Sequence, residues 1–87
     1  MLKKLSEFHY NDEGIIKIVK GEGRVRRRLF DMGVTPGAMV MLRKKAPLGD
    51  PLEFTLRGYE LTLRKAEADL VMCEVTKEGK KKWNILR

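Results

Sequence analysis

Very few side chains in this sequence have types and spacings that do chemistry. There is one histidine, His9, and one cysteine, Cys73. Neither stands in a ligand-like pair such as C-x-x-C or H-x-x-x-H, so no dedicated metal cluster is expected. Asp12, Glu13 and Glu22 are hard oxygen donors that could gather loosely in loops around a divalent ion. Without a second ligand type at ligand spacing, the plainer expectation is that His9 lies in a loop and Cys73 in the core, where small cysteines are commonly buried. Catalysis requires a nucleophile or acid with a partner in reach, and no serine, cysteine and histidine grouping or paired-carboxylate motif is visible. Gly21-Glu22-Gly23 lacks the lysine and serine/threonine end of a P-loop and the further glycine of a dinucleotide fingerprint. The residues predict a non-enzyme with neither metal nor cofactor.

One group of side chains is not obviously structural. Arg24, Arg26, Arg27 and Arg28 are crowded into the run RVRRRLFDMGVTPG, residues 24–37. Val25, Leu29 and Met32 in that run fall at i, i+4 and i+7 and so share one side of a helix, while Arg24, Arg27, Arg28 and Asp31 mostly occupy the other. Such a face is either solvated, with Arg27 and Asp31 paired at i, i+4 for a few tenths of a kcal/mol, or a docking surface. Planar guanidinium groups bind carboxylates and phosphates bidentately, so a docking partner would be acidic. The loop Pro47-Leu48-Gly49-Asp50 is expected to lie beside this face and to take part.

The elements that position these residues follow from local pattern. A helix of two to three turns is marginal alone, so Val25, Leu29, Phe30 and Met32 are expected to plug one end of a core built elsewhere. Gly33 should end that helix at positive φ, with Val34 folding back on Leu29. Pro36-Gly37 has the chemistry of a type II turn. Strands are predicted at Ile15 to Lys20 and Ala38 to Lys45, then at Leu52 to Leu56 and Tyr59 to Leu63 around the tight turn Arg57-Gly58, and last at Val71 to Thr76. Met1 to Phe8 fits an edge strand or a helical turn equally. Lys65 to Asp69 suits a single helical turn. Phe54 and Tyr59 fall on the inward face of their strands. Too few residues remain to cover both faces of a flat sheet, so the expectation is a mainly β chain: a small, partly open, five-stranded barrel of the SH3-like kind. One short helix sits between its first two strands and a helical turn precedes the last.

Eighty-seven residues make one domain, divided here into a barrel over 1–76 and a basic tail over 77–87. The tail opens with a charge run, Lys77 to Lys82, and closes with the apolar residues Trp83, Ile85 and Leu86. With no leader pattern and no long apolar run, a cytoplasmic protein is expected. A net charge of +7 attracts phosphate polymers, anionic lipid or an acidic protein face. Nucleic acid is disfavoured, because Tyr10 and Trp83 are the aromatics left to stack on bases and they lie far apart in sequence. The tail could rest on an anionic membrane.

Taken together, RRRLFDMGVTPG, KKAPLGDP and FTLRGYELTLRKAEAD, in that order and spanning most of Leu5 to Val75, resemble the FeoA family of small cytosolic proteins associated with ferrous iron uptake. The resemblance implies an SH3-like barrel, in agreement with the alternation and turns. It also implies a partner, the FeoB-type membrane transporter with its cytoplasmic nucleotide-hydrolysing domain, and the arginine face with the Pro47 to Asp50 loop is the surface expected to meet it. The same module occurs at the C-terminus of metal-dependent repressors, which keeps a repressor-related alternative open. The chain departs from the family pattern in its basic tail and its strong positive charge.

Overall fold

Turn chemistry sets the course of the chain. A computed structural model describes residues 1–79; Trp83, Ile85 and Leu86, with most of the expected tail, lie outside the described residues. Strand β1 (Leu2–Lys4) runs into a 3₁₀ turn (Leu5–Glu7), followed by β2 (Glu13–Val19), helix α1 (Gly23–Asp31), β3 (Met39–Lys45), β4 (Leu52–Leu56), β5 (Tyr59–Leu63), the one-turn helix α2 (Lys65–Ala68) and β6 (Val71–Lys77). All pairings are antiparallel, in the order β1-β6-β2-β3-β4-β5, so β1 and β5 are edges and the curled sheet stays open between them. The mainly β, SH3-like architecture stands, with one strand more than the five expected. Met1 to Phe8 supplies it, forming an edge strand and then a helical turn. Leu5 and Phe8 are buried, whereas Leu2 stays exposed on the edge.

Helix α1 ends as its sequence requires. The Val34 amide donates to the Leu29 carbonyl (3.0 Å) and the Gly33 amide to that of Phe30 (2.9 Å). With Gly33 at φ +92°, these are the paired bonds of a Schellman motif, and Leu29 and Val34 are both buried in the core. Three residues past Val34, Gly37 takes φ +94° and the Ala38 amide donates to Thr35 O (3.1 Å), the type II turn that launches β3. Between β4 and β5, Arg57 (φ 51°) and Gly58 (φ 86°) both adopt positive φ, as a two-residue type I′ hairpin requires.

Two inward assignments fail. Val25 is 43% exposed and Tyr59 44% exposed. Val25 sits in the first turn of α1, where the helix has not yet reached the core; Leu29 alone of its stripe is fully buried, and Phe30 and Met32 pack partly against the core. On the edge strand β5 only Leu63 reaches the interior completely. Tyr59 instead turns to the end of α1, where its hydroxyl donates to the Met32 carbonyl.

Candidate docking surface

Helix α1 places its arginines unequally. All four are exposed, but two have structural employment. Arg26 donates through Nε to the Val19 carbonyl at 3.1 Å, and its guanidinium lies 4.5 Å from the centre of the Phe30 ring, a cation–π stack. Arg28 pairs with Glu67 of α2 at 2.7 Å; with Arg28 largely in solvent the pair is worth about 0–1 kcal/mol. The expected pair between Arg27 and Asp31 does not form: Arg28, not Arg27, finds a carboxylate, that of Glu67, and Asp31 stays exposed without an ion partner among the described residues. Arg24 and Arg27 are likewise unpaired among the described residues, which leaves their guanidinium groups to meet something else.

The loop from Pro47 to Asp50 is held at both ends. The Gly49 amide donates to Ala46 O at 2.7 Å and the Ala46 amide to Pro51 O at 3.0 Å. The Asp50 carboxylate accepts from the Lys65 amide at 3.0 Å and lies 3.4 Å from Arg64 Nε. Glu67, one turn further along, accepts the Arg64 amide at 2.9 Å and takes the Arg28 side chain. The arginine face and the loop are therefore joined through α2, which clasps Asp50 at its start and Arg28 within the same turn. A helical turn is expected here from the sequence, but the bridge formed by Arg64, Lys65 and Glu67 is not. Their signal was the pair of basic residues followed by two acidic ones in RKAEAD, which is common in solvated turns.

The candidate chemical residues scatter. Among the described residues no group of three His, Cys, Asp or Glu side chains comes together to hold a metal. His9 is exposed, and Asp12 beside it is buried and engaged by hydrogen bonds within the chain. Glu22 stands at the start of α1, exposed. The Cys73 thiol is buried, and burial pushes its pKa up to about 12, so it is neither a ready nucleophile nor a ready thiolate ligand. Among aromatics, Phe54 is buried, while Tyr10 and, against expectation, Tyr59 are exposed. The Tyr59 hydroxyl is already spent on Met32.

Comparison with known proteins gives a consistent result. A family model described as the FeoA domain matches residues 3–75. The Fe(2+) transport protein A/Fe(2+) transporter FeoB fusion protein of Porphyromonas gingivalis is 33% identical over 72 residues, which is 83% of this chain and 8% of the fusion. The chain thus spans only a small part of that relative. Among solved structures, an FeoA-like protein from Clostridium acetobutylicum has a TM-score of 0.82 at 36% identity, covering 92% of this chain and 93% of its own. The FeoA of Stenotrophomonas maltophilia, solved with zinc and described as an SH3 domain protein, has a TM-score of 0.69 at 26% identity, covering 85% and 89%.

Proposed function

This chain belongs to the FeoA family, and from that premise we propose that it is a non-enzymatic accessory protein of ferrous iron uptake, acting in the cytoplasm by contact with a FeoB-type transporter. The observation that carries the reading is the relative in which an FeoA segment and a FeoB transporter are one polypeptide. A covalent tether gives two modules a high effective concentration and is of use only if the module works beside the transporter. A basic face speeds the encounter with an acidic one. Arg24 and Arg27 of α1, supported by Arg26, Arg28 and Asp31, form one part of the docking face; Pro47 to Asp50 forms the other, with α2 between them.

Arg24 and Arg27 are the residues on which to test the surface, because neither has an ion partner within the described fold. Reversing Arg26 would also remove its bond to Val19 and confuse docking with folding. The measurement is binding of the purified full chain to the full-length transporter in neutral-lipid nanodiscs. Arg24→Glu with Arg27→Glu is expected to weaken binding at least tenfold and to leave the thermal midpoint unchanged within a few degrees. Unchanged affinity would remove the arginine face from the reading, and a wild-type chain that does not bind would remove the partner.

A further inference from the structure

Leu48 is 95% exposed, against 61% for Met1, the next most exposed large apolar residue among those described. A single exposed leucine is ordinary on a protein surface; the manner in which this one is held is not. It sits in the turn Ala46-Pro47-Leu48-Gly49, closed by the Gly49 amide on Ala46 O at 2.7 Å. Pro47 fixes the backbone ahead of it, and Gly49 takes φ +82° behind it. The base of the loop is tied by Ala46 N to Pro51 O, and Asp50 anchors it sideways to the Lys65 amide. An apolar side chain is thus presented to solvent from a turn braced at both ends, so little order remains to be imposed when it docks. It makes no use of its apolar surface in the fold.

Its surroundings state what it fits. Arg43, Lys44 and Lys45 at the end of β3 are all exposed, and so are Arg64 and Lys65 where β5 passes into α2. Against these five cations stand the carboxylates of Asp50, Glu53 and Asp69: Glu53 lies directly opposite Lys44, Asp50 is taken up by Arg64 and the Lys65 amide, and Asp69 lies 3.8 Å from Lys65 Nζ, so the excess of positive charge rests on the end of β3. From the braced turn and the exposed cations at its base we infer that Leu48 is the apolar anchor of the docking surface, and that the partner offers it an apolar socket with an acidic rim. This rests on the docking reading above and adds the residue that carries the contact. A buried anchor surrounded by charge that excludes water and wrong partners is a common arrangement in specific interfaces. A lipid surface would also accept leucine and cations, but it takes apolar area of any shape, whereas Leu48 is one large apolar side chain at the tip of a braced turn. One rigid knob suits a socket better than a bilayer.

The test uses the full chain and the full-length transporter in neutral-lipid nanodiscs, with empty nanodiscs of anionic lipid as the comparison. Leu48→Ser is expected to weaken transporter binding at least tenfold with no loss of thermal stability, since the side chain is in solvent. Arg43→Gln, Lys44→Gln and Lys45→Gln together are expected to flatten the fall of affinity with salt while Leu48 is kept. If the wild type binds and Leu48→Ser binds within twofold of it, the anchor is overturned and the docking reading survives. If Leu48→Ser loses affinity for empty anionic nanodiscs and keeps it for the transporter, Leu48 is a membrane contact and the socket is overturned. If the wild type does not bind the transporter, both fall together.

Discussion

Asp12 is a carboxylate buried to 1% exposure inside a strongly basic chain, and three donors explain how it is tolerated. The backbone amides of His9 and Gly79 each reach one of its oxygens at 2.8 Å, and the Lys3 ammonium lies at 3.3 Å. Burial pushes the carboxyl pKa up, but the two amides and the lysine outweigh it, so the group sits below its ordinary value of 3.8. A carboxylate whose pKa is lowered by folding contributes stability that is complete above its unfolded pKa and is lost as pH falls through the folded value. Asp12→Asn should therefore cost about 2–3 kcal/mol at pH 7, typical of losing charge-assisted hydrogen bonds at a buried site. Urea unfolding followed at a series of pH values should show the wild type and the variant converging as pH drops below about 4. A gap that stays constant with pH would mean that shape, not charge, holds the loop. Asp12 in the sequence was one acid in a polar, turn-rich stretch, and its burial could not be read there because Gly79 lies 67 residues away.

At the scale of elements, the end of α1 is where the sequence was most legible and also where it misled. Leu29, Gly33, Val34, Pro36 and Gly37 act on one another within nine residues, so propensity and turn rules place them correctly. Tyr59 obeys a partner 27 residues away, and strand alternation assigns it to the wrong side. Helical spacing likewise groups the arginines but cannot tell which are held, since Arg26 is claimed by Val19 and Arg28 by Glu67. The junction makes a definite prediction. A Cβ on Gly33 would fall on the Tyr59 hydroxyl and 3.2 Å from Leu56 Cδ2, at φ +92°. Gly33→Ala should cost about 1–2 kcal/mol from the left-handed backbone and roughly 1 kcal/mol more from the displaced tyrosine bond. Tyr59→Phe alone should cost about 0.5–1.5 kcal/mol. Since both changes act on the same hydroxyl, the double variant should lose less than the sum, with a coupling of about 0.5 kcal/mol or more. Chemical denaturation of the four proteins measures it, and strict additivity would mean that the tyrosine does not latch the helix.

For the molecule as a whole, the positive charge has two addresses. Lys80, Lys81, Lys82 and Arg87 carry four of the net +7, so a chain ending at Gly79 would keep the fold-bearing residues and less than half of the excess. The described fold already ties the chain down as far as Gly79, through β6 and the bond to Asp12. Of its own cations, those on α1, on β3 and where β5 passes into α2 stand on the surfaces proposed to meet the transporter. A lipid contact, by contrast, needs only charge near the surface, at about 1 kcal/mol for each lysine or arginine. Removal of residues 80–87 should therefore lower affinity for anionic vesicles by up to about a thousandfold, four cations at that value, since about 1.4 kcal/mol is tenfold. Transporter binding in neutral nanodiscs should change by less than about threefold, because charges that make no direct contact with the partner are largely screened at physiological salt. Vesicle sedimentation beside nanodisc titration separates the two. If the shortened chain still binds anionic vesicles as tightly as the full one, the barrel's cations rather than the tail meet the membrane, and the division of labour between residues 1–76 and 77–87 does not hold.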